Sequence, residues 1–89
     1  MNMKAILDNI PPEAKGIKII NNSISTLPSN AFVNHAKLNT LCLSNNQIEI
    51  VEKDAFKGLK NLQYLDLKHN QIENISEVWK GLELSLIHI

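Results

Sequence analysis

The Cys and His side chains of this 89-residue chain are four, Cys42, His35, His69 and His88, and each could bind a metal or activate a substrate. A zinc site usually draws its ligands in close pairs such as C-x-x-C or H-x-x-x-H, so that two donors from one turn or loop reach one ion. Neither pair occurs, and no metal site is expected. A catalytic thiol needs a base within reach. Cys42 stands between Thr40 and Ser44 with no His or Asn arranged to take its proton, so it is expected to be a free surface thiol. Gly16, Gly58 and Gly81 are too scattered to form a phosphate-cradling loop. The chain is expected to be no enzyme and to carry no cofactor.

Charge and composition narrow the partners. Nine Lys+Arg balance nine Asp+Glu, so nothing pulls the chain towards nucleic acid or an anionic membrane. No stretch approaches the ~20 apolar residues of a membrane-spanning helix. The N-terminus has one lysine, Lys4, and no long apolar run, and does not read as a secretory signal. The hydrophobic fraction is 44% with few aromatics, so a core must come mostly from Leu, Ile and Val. A single cysteine excludes an internal disulfide.

The elements that must position any site are announced by a repeat. Leu38, Leu41, Leu43, Asn46, Ile48 and Val51 return 24 residues later as Leu62, Leu65, Leu67, Asn70, Ile72 and Ile75. The same step backwards gives Ala14, Ile17, Ile19, Asn22, Ile24 and Leu27, and Ala31-Phe32 returns as Ala55-Phe56. Within Leu41-Cys42-Leu43 and Leu65-Asp66-Leu67 apolar residues alternate with others, which predicts short strands with one buried face. So short a repeat leaves no room for a long crossover helix. Like strands therefore stack in parallel, and each repeat buries its apolar side only against its neighbours.

The copy Leu38-Asn39-Thr40-Leu41-Cys42-Leu43-Ser44-Asn45-Asn46-Gln47-Ile48 fits L-x-x-L-x-L-x-x-N-x-L without a gap, and over residues 14–76 the chain resembles the leucine-rich-repeat family. The resemblance implies an α/β-type solenoid: a right-handed coil with a short-stranded parallel sheet on its concave face and loops or short helical turns on its convex face. It implies a protein partner on the concave sheet. The alternative is a structural spacer or self-associating segment with no binding site of its own. The Ala-Phe pair is common in extracellular members, which points weakly to the cell surface. The paired cysteines of many extracellular caps are missing here.

The ends depart from the pattern. Residues 1–13 form no full repeat, and Ile6, Leu7 and Ile10 are expected to cap the first coil, with Pro11-Pro12 turning into it. Repeats are expected at 14–37, 38–61 and 62–85, with a truncated fourth. Trp79-Lys80-Gly81-Leu82 returns Phe56-Lys57-Gly58-Leu59 one residue early, and Leu86 and Ile89 regain the 24-residue step. The last five residues, Ser85 to Ile89, also resemble translated adapter sequence. An uncapped end exposing Leu82, Leu84 and Leu86 would favour self-association, and a longer native protein is expected.

Alternation assigns the remaining roles. Gly16, Lys18 and Ile20, then Thr40, Cys42 and Ser44, then Tyr64, Asp66 and Lys68 should leave the core on one face. Tyr64, Asp66 and Lys68 are the expected contacts, with His69 at the rim and Thr40, Cys42 and Lys18 beside them. Asn22, Asn46 and Asn70 are expected to bridge successive repeats by satisfying backbone groups where the chain bends. Phe32 and Phe56 are expected as a short aromatic spine. Glu49, Glu52, Lys53, Asp54, Lys57 and Lys60 should be solvated. The N-x-S sequons at Asn21 and Asn74 carry weight only in a secretory compartment.

Overall fold

The computed structural model describes residues 2–73 and 86–88. Helix α1 (Met3–Leu7) starts where the Asn2 side chain accepts a hydrogen bond from the Lys4 amide, and it buries Met3 and Leu7, four residues apart on one face. Among the described residues six strands follow: β1 (Gly16–Lys18), β2 (Thr26–Leu27), β3 (Thr40–Cys42), β4 (Ile50–Val51), β5 (Tyr64–Asp66) and β6 (Leu86–His88). Every pairing is parallel. The larger sheet has the order β1-β3-β5-β6, and β2 pairs with β4 in a separate two-stranded sheet.

The repeat length becomes register. Ile17 lies opposite Leu41 and Leu41 opposite Leu65, each a step of 24 residues. Between repeats the backbone bonds step the same way, as in Ile19 N–H to the Cys42 carbonyl (2.9 Å) and Leu43 N–H to Asp66 (2.9 Å). The last interval is different. Leu65 pairs with Ile87, a step of 22, so the strand lies two residues ahead of the expected place that set Ile89 opposite Leu65. The side chains of Leu82, Leu84 and Leu86, and Asn74 with its sequon, lie outside the described residues.

The core runs down the inside of these repeats. Ile24, Leu27, Phe32, Leu38, Leu41, Leu43, Ile48 and Leu65 are all 0% exposed. Ala14 and Ile72 are only half-buried. The Phe32 and Phe56 rings stack with centroids 6.0 Å apart and planes within 7°. The return path consists of turns rather than an α-helix, and its charged residues Glu49, Glu52, Lys53, Asp54, Lys57 and Lys60 are exposed. Two columns of left-handed backbone recur at the same period: Asn21, Asn45 and His69 (φ 59, 57 and 61°), then Asn30 and Asp54 (60 and 63°). Asn and Asp tolerate this conformation because their short polar side chains bond locally. His69 adopts the same conformation with a larger side chain.

The N-terminal segment is tied to the first repeat by a residue the sequence pattern did not single out. His35 is 4% exposed, and its Nε2–H donates to the Ile10 carbonyl at 3.0 Å. The carbonyl can only accept, so Nε2 carries a proton, and Nδ1 is buried without a hydrogen-bond partner.

Candidate interaction face

One side of the larger sheet carries the side chains that do not enter the core. Register places Gly16, Thr40 and Tyr64 in one row and Lys18, Cys42 and Asp66 in the next. Neighbouring strands lie roughly 4.8 Å apart, so side chains in a row are in contact range. Gly16, Lys18, Thr40 and Lys68 are exposed, and Tyr64 and Asp66 are half-buried.

Asp66 organises this face. Its Oδ2 accepts from the Tyr64 hydroxyl at 3.4 Å and from the Cys42 thiol at 3.7 Å, and its Oδ1 accepts the Lys68 backbone N–H at 3.0 Å. Three donors on one carboxylate occupy most of its accepting capacity. Asp66 thus holds Tyr64 and the chain at Lys68 in place rather than standing free as a solvated charge.

Cys42 is not the surface thiol that alternation suggested. It is 8% exposed, as is Ser44, and its Sγ lies 3.5 Å from the Ser44 Oγ. The reason is position: β3 is flanked on both sides, so short side chains sink between longer ones from β1 and β5. A thiol covered in this way is a poor nucleophile and a poor contact. His69 is exposed at the rim, directly after Lys68, and Ile20 is half-buried. The Thr40 hydroxyl donates to Asn39 Oδ1 at 2.9 Å. Among the described residues no group of His, Cys, Asp and Glu is placed to hold a metal, and no helix is long and apolar enough to cross a membrane.

Partial burial, the Asp66 carboxylate, Cys42 and the hydrogen bond to Asp66 together push the Tyr64 phenol above its ordinary value of 10.0. Tyr64 is the sole tyrosine, so phenolate absorbance reports it alone. The titration midpoint should lie above 10.0, and Asp66→Asn should bring it part of the way back. Identical midpoints would show that the pair is not formed in solution. The folded protein holds this proton more tightly than the unfolded chain. The stability it contributes is therefore complete below the ordinary value of 10.0 and is lost as pH rises through the folded midpoint.

Below the face, the three asparagines meet the backbone where each strand ends. Asn46, 7% exposed, donates through Nδ2 to the carbonyls of Ile19 (2.9 Å), Leu43 (2.9 Å) and Ser44 (3.2 Å), and its Oδ1 accepts Asn22 N–H at 3.0 Å. Asn70 repeats the arrangement, with Nδ2 on Leu43 (3.0 Å), Leu67 (3.1 Å) and Lys68 (3.3 Å) and Oδ1 accepting Ile48 N–H at 3.1 Å. Asn22 has the Ile20 carbonyl at 3.1 Å.

A family model described as leucine rich repeat matches residues 36–88. A comparison with curated proteins finds no match. The parallel strands at one period, the asparagine at each strand end and a match over more than half the chain lead to one conclusion: this chain belongs to the leucine-rich-repeat family.

Proposed function

We propose that the chain is a protein-interaction module that holds its partner on the open face of the larger sheet. Leucine-rich repeats generally mediate protein–protein contacts and are generally non-enzymatic, and the family implies a solenoid-like fold. In this reading the sheet lines the concave side of a right-handed coil, and residues 1–13 serve as its N-terminal cap. Tyr64 is the anchor, with Lys18, Thr40, Lys68 and His69 around it. Asp66 and Cys42 position that anchor from beneath.

The observation that carries the reading is the treatment of Tyr64. It is half-buried, its hydroxyl is held by Asp66, and it stands among exposed polar side chains of the same face. An aromatic side chain already restrained in this way offers contact area at small entropic cost. The test begins with a protein retained by the immobilised chain, identified and then titrated against Tyr64→Ala. Affinity should fall by about 2 kcal/mol, roughly thirtyfold, with the melting midpoint little changed. Equal affinities would place the contact elsewhere. Unfolding of the variant would assign Tyr64 to the core.

A further inference from the structure

We propose that the segment captured on this face is acidic and extended, with two carboxylates about four residues apart on one side. This rests on the interaction reading above and adds the chemistry of the partner.

Three observations carry it. First, the face carries an excess of positive charge. Lys18, Asp66 and Lys68 count as two cations and one anion, and the Asp66 carboxylate already accepts Tyr64, Cys42 and the Lys68 amide. Its charge remains, but few of its accepting positions are open to a donor from a ligand.

Second, both ammonium groups are available. Lys18 and Lys68 are exposed, and among the described residues the only ion pair is between Lys4 and Asp8. Glu13, five residues before Lys18, and Glu73, five after Lys68, lie outside β1 and β5, and Glu49, Glu52 and Asp54 are on the return path. The face is thus locally cationic in a chain whose net charge is zero.

Third, the spacing suits a strand-like ligand. Lys18 belongs to β1, two strand spacings from β5, and Lys68 follows Asp66 by two residues. Two spacings across and two residues along separate the lysines by roughly 12 Å. An extended peptide places side chains four residues apart on the same side at roughly 13 Å. The residue midway between them also points to the sheet, above Cys42 and Ser44 at the centre of the face.

The test uses the whole 89-residue chain and two synthetic peptides. One carries the run Glu-Thr-Leu-Thr-Glu, and the other the same run with both Glu replaced by Lys. Backbone amide shifts of Lys18, Tyr64 and Lys68 are followed by NMR at rising peptide concentration. The acidic peptide should move these amides, with an affinity at least about fivefold above that of the basic one. Added salt should narrow the gap. The double change Lys18→Glu and Lys68→Glu, at two exposed positions, should reverse the preference.

Equal shifts with both peptides would overturn the acidic preference and leave the interaction reading standing. Shifts of the same size with an oligothymidylate would overturn the peptide assignment in favour of a general anion surface. No movement of these amides with either peptide would overturn the proposal outright, whereas the interaction reading is judged separately by the Tyr64→Ala titration.

Discussion

Phe32→Ala should remove about 3–5 kcal/mol of stability, more than any other single change in the described core. Phe32 is 0% exposed and lies on the return path, where its ring stacks on Phe56 of the next repeat. Truncation removes the transfer energy of the ring and leaves a cavity that turns cannot easily fill. These turns are held by backbone bonds such as Asn30 N–H to Asp54 (3.0 Å) and His35 N–H to Phe32 (2.9 Å), so collapse around the gap would break them. A domain of this size has a total stability of roughly 4–13 kcal/mol, and the variant would lose much of it. Urea unfolding followed by far-ultraviolet dichroism is the measurement. Phe56→Ala, with its ring 3% exposed, should cost somewhat less. The double variant should show a coupling of about 1 kcal/mol, because either single change already loses the stack. Strict additivity would mean that the rings are neighbours without mutual support.

The repeat was readable because each of its parts is local in sequence. Leu41 and Leu43 bracket one residue, and a fixed step of 24 then determines which strands are neighbours, so register for β1, β3 and β5 follows from counting. The same counting fails at β6. A strand that arrives two residues early leaves the composition almost regular, and Leu86 and Ile89 satisfy the leucine spacing two residues away from the observed pairing. What the pattern could not supply were roles that depend on groups from other repeats. Cys42 was expected at the surface because it alternates with buried leucines, yet its burial depends on having a strand on each side.

Asp66 reads as a surface charge until the thiol 24 residues earlier and the phenol two residues earlier are seen to converge on it. His35 resembles any loop histidine, since its partner Ile10 is in the irregular N-terminal segment. Met3 was missed for a related reason: a helix of five residues leaves only the pair Met3 and Leu7 as a periodic signal. The face itself was legible as a set of positions. Which members face solvent and which are engaged in hydrogen bonds was not.

Asn46→Ala should cost about 2–3 kcal/mol, and the three asparagines should rank Asn46, then Asn70, then Asn22. The ranking follows from what each amide satisfies. Asn46 reaches carbonyls of its own repeat, Leu43 and Ser44, and Ile19 of the preceding one, while its oxygen accepts the Asn22 amide. Alanine would leave these backbone groups in a nearly closed interior with no water to replace the side chain. Asn70 makes as many bonds, but it is half-buried, so solvent can relieve part of the loss. The Asn22 side chain donates within the first repeat, to Ile20, and should matter least.

Asn46→Asp separates the donors from the volume. It keeps the size and one accepting oxygen but turns the second group into an acceptor facing three carbonyls. Its loss should exceed that of alanine at neutral pH, and acidification should recover part of it, because a protonated carboxyl can again donate. Thermal unfolding of the four variants would decide the matter. A midpoint for Asn46→Ala within error of the parent would mean that the carbonyls find other donors and that the asparagine column does not hold the repeats together.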